Sequence, residues 1–375
     1  MQWLAGQFEL SRHANGRNLR PMEGLRGFAV FLVFLVHYAT LISPWASPGS
    51  KLAGVLDIVH AMGNAGVDLF FVLSGYLIYG SLIARPQPFL PFMWRRVVRI
   101  YPAFCAVFAL YLALSFLRPE DSKIPSAPLA AAIYVLQNFL LLPGLFSIKP
   151  IITVAWSLSY EMFYYIAMPF VIGALGLRRR SSAVRVALFA VAATAIAGYC
   201  LLHDGHVRLI MFIGGILLHE ALRKPPVEAP HSSASLFLLA GALAMTTLPI
   251  PGAAGYTAKI VTLFFVFPVV CYTCLLAPRA WLTRAFCWTP LRWLGNMSYS
   301  YYLMHGLGLK FGFLVLARVM PHAAHESVFA AVVLPVMFVL TLLPSAALFL
   351  LVERPFSLAT PVKQGGQVLP QQMQA

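Results

Sequence analysis

The chain repeats one feature that leaves few folds open to it: apolar stretches long enough to cross a lipid bilayer. Crossing the hydrocarbon core takes about 17 to 25 predominantly apolar residues. Such windows lie near residues 25–43, 66–84, 97–117, 154–176, 185–202, 207–222, 234–250, 260–277, 297–318 and 328–352. In lipid every backbone polar group must be paired internally, which long apolar windows achieve as α-helices. The expected fold is all-α, a polytopic membrane protein of about ten transmembrane helices. With 60% hydrophobic residues, 10% charged residues and a mean hydropathy of +0.79, the composition excludes an ordinary soluble domain.

The net charge of +15 has the size expected of a nucleic-acid binder, but the basic residues fall between the apolar windows. That is how cytoplasmic loops look under the positive-inside rule, so the charge is assigned to topology and no nucleic-acid partner is expected. With ten spans, nineteen of the 27 lysines and arginines fall on the face that holds the N-terminus, among them Arg26, Arg95, Arg96, Arg99, Arg178, Arg179, Arg180 and Arg185. An eleventh span over Pro128 to Phe146 would send Arg178 to Arg180 to the opposite face. That segment is therefore expected to be interfacial or re-entrant, within an outer loop over residues 118–153. Both termini are expected to be cytoplasmic. The expected division is a cytoplasmic N-terminal segment over residues 1–20, one transmembrane domain over 21–356 and a polar tail over 357–375. No cleavable signal pattern is seen at the start. The five cysteines lie in or beside apolar segments without a second Cys/His pair, so neither a disulfide framework nor a metal is expected.

Within the first window, Arg26 and His37 are eleven residues apart in an otherwise apolar run. At about 100° per residue that is three turns and about 20°, so both side chains share one helix face, roughly 16 Å apart along the axis. Ionisable groups at membrane depth are costly and usually line a cavity or a reaction path. His37 is accordingly expected to be functional rather than a core histidine bonded to a neighbouring helix.

The second helix opens Gly66-Val-Asp68-Leu-Phe-Phe-Val-Leu-Ser74-Gly75. Asp68, Val72, Gly75 and Tyr79 share a face, which places a carboxylate above a groove of small residues. Gly75 there admits either a thin ligand or a packed helix. At the cytoplasmic start of the third helix, Arg96 and Arg99 are one turn apart. Forked guanidinium groups match phosphate geometry, so the pair is a candidate site for a phosphorylated cofactor; the bland alternative is an anchor to lipid headgroups. The fourth helix carries Ser157, Glu161 and Tyr165 as an inward polar stripe. His305, in the tyrosine-rich run Asn296 to His305, ranks below His37 because a tyrosine neighbour can satisfy it structurally. Phosphate-loop, HExxH and GxSxG motifs are all absent, which removes support for ATP-driven transport and zinc proteolysis.

Taken together, Arg26 with ten residues before His37, the Gly66 to Gly75 segment, Arg96-Val-Val-Arg99 followed by Pro102, Trp156-Ser-Leu-Ser-Tyr-Glu161 and Tyr302-Leu-Met-His305 resemble the acyltransferase-3 family of bacterial inner-membrane enzymes. The resemblance covers roughly residues 18–356. It implies multi-pass insertion in the inner membrane and transfer of an acyl group, commonly acetyl, from cytoplasmic acyl-CoA to a hydroxyl of a carbohydrate or lipid-linked glycan. Acyl-CoA is then a donor substrate, and no permanently bound cofactor is implied. Carried over by position, His37 matches the family's essential histidine, Arg26 its partner, and Arg96 with Arg99 the donor-binding pair. Ser74 and Gly75 are expected along the donor's path, and Asp68 or Glu161 is expected to orient the imidazole.

Two departures from the family pattern stand out. Glu161 is followed by Met162 where the family often has a second acidic residue, so Glu161 must act alone. Many members continue into an SGNH hydrolase-like domain, whereas this chain runs only a short way past Glu353-Arg-Pro355. The acceptor is expected to be handled in the membrane domain or by a periplasmic or glycan-assembly partner. The rival class is a proton-coupled transporter with His37, Asp68 and Glu161 as a relay. Its usual sign, repeat symmetry with broken helices, is not found in the sequence.

Overall fold

The computed structural model describes residues 2–10, 13–14, 17–18, 20–223, 230–320 and 327–358. Each of the ten windows is helical: α2 (Arg20–Ile42), α4 (Ala65–Ala84), α5 (Phe89–Leu117), α7 (Trp156–Ala174), α8 (Ser182–Leu202), α9 (Ile210–Arg223), α10 (Ser232–Thr247), α11 (Gly252–Leu276), α14 (Ser298–Val319) and α15 (Ser327–Leu348). Among the described residues seven helical stretches are long and apolar enough to span a bilayer, and α7, α9 and α10 are shorter or more polar. The apolar side chains on the outside of the bundle, among them Phe116, Phe170, Phe237, Leu343 and Leu351, suit a lipid-facing surface. The chain is thus an all-α polytopic membrane protein.

Five further helices complete the described fold: α1 (Gln2–Phe8), α3 (Lys51–Gly63), α6 (Pro128–Phe139), α12 (Trp281–Phe286) and α13 (Thr289–Asn296). Of these, hydropathy flagged only α6. At 12 residues it is roughly 18 Å long, too short to span, as expected for the Pro128 segment. His13–Ala14 and Arg17–Asn18 form a two-residue antiparallel ladder. The end of the described chain, Phe349–Leu358, is π-helical. Most of the expected polar tail, residues 359–375, lies outside the described residues.

Helix α2 is the hub, packed on α3, α4, α13 and α14. Several close helix crossings depend on glycine, two of them reciprocally. Between α2 and α13, a Cβ on Gly27 would lie 1.9 Å from the Leu291 carbonyl oxygen, and one on Gly295 would lie 1.7 Å from that of Glu23. Between α4 and α9, a Cβ on Gly75 would lie 2.2 Å from the Phe212 carbonyl oxygen, and one on Gly215 would lie 2.1 Å from that of Val72. Lipid supplies no hydrophobic drive to join helices, so backbones that touch this closely gain their association from dispersion contacts.

The two ends of the described chain meet on one face of the bundle. Arg354 donates to Gln7 and to the Gly6 carbonyl, Asn296 donates to the Phe8 carbonyl, and the Phe8 ring stacks on Phe349. Arg292 bonds both Glu9 and Glu23 there.

Candidate active site

Two cavities lie one above the other inside the bundle. The inner one, of about 150 Å³, is near the end where α2, α5 and α14 begin, and the outer one measures about 500 Å³.

Three arginines reach the inner cavity because each stands in an early turn of its helix and faces the bundle axis: Arg26 on α2, and Arg96 with Arg99 on α5. Their surroundings differ. Arg26 donates through Nε and Nη2 to the Ser298 hydroxyl at 3.2 and 3.0 Å. Arg99 donates to Glu353 at 2.5 Å, and that fully buried carboxylate also accepts from the Ser300 backbone N–H at 3.0 Å and its hydroxyl at 2.6 Å. Arg96 lies over the rings of Phe92 and Tyr165, and its Nε has no hydrogen-bond partner among the described residues. The expected polar stripe of α7 lines the same space. Glu161 accepts from Ser74 at 3.1 Å and from Tyr165, and Ser157 lies 2.7 Å from the Tyr302 hydroxyl. Three guanidinium groups therefore face two carboxylates, which leaves a surplus positive charge with a free donor in a low-dielectric space. This is a setting for phosphate oxygens.

His37 opens onto the outer cavity instead, with Thr40, Tyr111, Thr153 and Lys310 in the same lining. Its ring partner is His305, whose Nε2 lies 3.3 Å from His37 Nδ1. The carbonyl partners fix the protons, because a carbonyl oxygen only accepts. His305 Nδ1 carries hydrogen and donates to the Tyr301 carbonyl at 2.9 Å, so His305 Nε2 is bare. His37 Nδ1 carries hydrogen, shared between the Val33 carbonyl at 2.9 Å and His305 Nε2. That leaves His37 Nε2 as a lone-pair acceptor on a half-buried ring at the cavity wall. A base is held in one tautomer, with its other nitrogen tied down.

The two cavities are divided by a small hydrogen-bonded knot. The Val154 carbonyl accepts from Tyr302 at 2.9 Å and from Ser157 at 3.2 Å. Val154 lines the outer cavity, while Ser157 and Tyr302 line the inner one. Arg26 and His37 share a helix face, as their spacing requires, but they serve opposite sides of this septum.

Three sequence expectations are corrected. Asp68 does not orient His37: it lies beside Arg208, 3.6 Å away, with both carboxylate oxygens otherwise unpaired, on the face of α4 that meets α9. Glu161 does not orient His37 either, since its bonds go to Ser74 and Tyr165 in the inner cavity. Gly75 does not line a channel. The small-residue groove is filled by α9, and the Gly75 carbonyl accepts from Tyr164 at 3.2 Å. Ser74, one residue earlier, is on the cavity wall. The same placements separate the supposed relay of His37, Asp68 and Glu161 into three unconnected sites.

Sequence reasoning passed over Glu353, although an intramembrane carboxylate is itself the signal used for Asp68 and Glu161. It also ranked His305 too low, because the neighbour that satisfies one ring nitrogen is the Tyr301 carbonyl and not a tyrosine hydroxyl. That leaves the second nitrogen for His37.

Comparison with known proteins bears on this geometry. The family model described as the acyltransferase domain matches residues 21–350. The chain is 26% identical over 337 residues to O-acetyltransferase OatA of Staphylococcus aureus, covering 79% of this chain and 51% of that protein. It is 24% identical over 366 residues to Acyltransferase MdmB of Streptomyces mycarofaciens, covering 90% and 91% respectively. The chain thus spans about half the length of the OatA relatives and nearly all of MdmB. No solved structure matches it.

Proposed function

The chain belongs to the acyltransferase-3 family, and on that footing we propose that it is a multi-pass O-acyltransferase of a bacterial inner membrane. In this reading it moves an acyl group, acetyl by default, from cytoplasmic acyl-CoA to a hydroxyl of a cell-surface carbohydrate or lipid-linked sugar. The observation that carries the proposal is the pair of cavities on either side of the Ser157, Tyr302 and Val154 septum, arginines on one side and a tautomer-fixed histidine pair on the other. The names of the relatives, an O-acetyltransferase and an acyltransferase, support the acyl group as cargo.

In this scheme Arg96 and Arg99 take donor phosphates, and Arg26 and Ser74 border the path along which the pantetheine arm extends. Arg99 is held in place by Glu353, which leaves its remaining donors directed by a fixed ion pair. The thioester reaches the outer cavity where Tyr302 and Ser157 swing aside. His37 Nε2 then takes the proton of the acceptor hydroxyl as its oxygen attacks the thioester carbon. The C–S bond breaks, and the proton passes to the departing coenzyme A thiolate. While the imidazole is protonated, the bare Nε2 of His305 and the Val33 carbonyl both receive its Nδ1 hydrogen bond, which stabilises the cation.

Reconstitution in liposomes tests the reading. With acetyl-CoA supplied on one side and surface glycans on the other, free thiol should appear in step with acetylated glycan. Thiol release that is independent of the acceptor, or no release at all with any acyl-CoA, would sink it.

A further inference from the structure

The mouth of the outer cavity carries more positive charge than its neighbours answer. Arg118, Lys123 and Lys310 line it together with one carboxylate, Asp121. Asp121 lies 3.7 Å from Lys310, and Glu120 takes Arg118 at 3.1 Å. Lys123 has no acidic partner among the described residues. Its ammonium donates to the Pro150 carbonyl at 2.9 Å and to the Thr153 hydroxyl at 3.4 Å, both neutral. Partial burial, followed by the charges of Lys310 and Lys149, holds the Lys123 ammonium below the ordinary lysine range. Like charges gathered at a cavity rim cost free energy that an incoming anion returns.

Beside these basic groups the lining changes character. Leu114 on α5 and Leu307, Phe311 and Leu314 on α14 form an apolar wall, and Phe311 and Leu314 are exposed on the outside of the bundle. The wall therefore continues into the lipid-facing surface. At its inner end stands His37.

We propose that the outer cavity is a binding site for an anionic amphiphile, an acceptor whose phosphate-like head meets Lys123 and Lys310 while its apolar chain lies along α5 and α14. This rests on the acyl-transfer reading only for the word acceptor. The combination of basic groups, an apolar flank open to lipid and a general base suits a molecule anchored in the outer leaflet that presents a hydroxyl beside its charged group to His37. A neutral glycan entering from water would have no use for either the lysines or the exposed wall.

The test uses the full chain in nanodiscs of phosphatidylcholine, with dodecyl phosphate as probe and dodecyl maltoside as its neutral counterpart, both below micellar concentration. Titration calorimetry should show at least tenfold tighter binding of the phosphate, weakening as salt is raised. Lys123→Glu with Lys310→Glu should remove that preference, and Lys123→Arg with Lys310→Arg should keep it. Should the charge-reversed protein fail to fold, the wild-type preference and its salt dependence decide alone. Equal affinity for the two amphiphiles, or a preference that survives charge reversal, would overturn the site and leave acyl transfer untouched. Absence of acetyl-CoA consumption with the phosphate preference intact would instead remove the acceptor role and leave the anionic site.

Discussion

The two cavities differ in how much of their chemistry is already bound to protein. In the inner one nearly every charged group has a partner: Arg99 with Glu353, Arg26 with Ser298, and Glu161 with Ser74 and Tyr165. In the outer one a single imidazole pair stands against apolar walls under an under-neutralised rim. Pre-paired groups hold their positions before a ligand arrives and suit a donor whose shape never changes. A wide apolar space with charge only at its mouth suits acceptors that differ from one another. On this view donor recognition is stiff and acceptor recognition is adaptable.

The sharpest way to break that contrast is at the base. His37→Ala should lower acyl transfer by about 10²- to 10⁴-fold, the range for a lost general base, while coenzyme A binding measured by calorimetry stays put. Loss of coenzyme A binding in that variant would erase the division between cavities. Next comes the ion pair beside the inner cavity. Glu353→Gln leaves Arg99 without its buried counter-charge, and removing one partner of a buried pair costs about 3–5 kcal/mol. A large fall in thermal stability with a raised KM for acyl-CoA is expected, and an unchanged melting temperature would show that Arg99 does not depend on it.

Smaller effects sharpen the contrast further. Arg96→Ala should raise KM for acyl-CoA by about 10- to 100-fold, in line with about 1.5–3 kcal/mol for a charged hydrogen bond, and leave the acceptor KM alone. Gly75→Ala separates packing from passage. Its methyl meets the Phe212 carbonyl oxygen, so stability should drop by about 1–3 kcal/mol with no selective change in donor KM. A selective rise in donor KM would return Gly75 to the donor's path.

The smallest effect lies away from both cavities. Burial pushes the Glu9 carboxyl upward, and the hydrogen bonds from Arg292 and Trp293 together with the Arg292 charge outweigh it, so Glu9 titrates below the ordinary carboxylate range. A lowered folded-state value means that stability from this group is present above the unfolded value, about 4.3 for glutamate, and is lost as pH falls through the folded one. Because Glu9 is partly open to solvent and Arg292 keeps Glu23 as a second carboxylate partner, the loss should stay below about 1 kcal/mol. Melting curves of wild type and Glu9→Gln should therefore converge slightly as pH is lowered from 6 to 3.

Legibility in the sequence followed the range of the interaction. Apolar windows and helical periodicity act within about twenty residues, so the ten helices and the inward stripe of Ser157, Glu161 and Tyr165 were readable directly. The short helices α3, α12 and α13 escaped because hydropathy over a span-length window is blind to elements shorter than the window. Asp68 was correctly singled out as a buried carboxylate, but its partner is fixed by how α9 crosses α4 and not by anything near residue 68.

Local physics, the cost of bare backbone in lipid and the rarity of charge at membrane depth, determined from sequence alone that this chain is a helical membrane bundle and that ionisable groups such as Asp68 and Glu161 face inward. Which of those groups meet was decided only by tertiary structure. His37 finds His305 across 268 residues and Arg99 finds Glu353 across 254, because close crossings of helices far apart in the chain set which faces oppose. Periodicity gives a side chain its direction along one helix; the neighbour in that direction depends on packing between helices, which no single window contains.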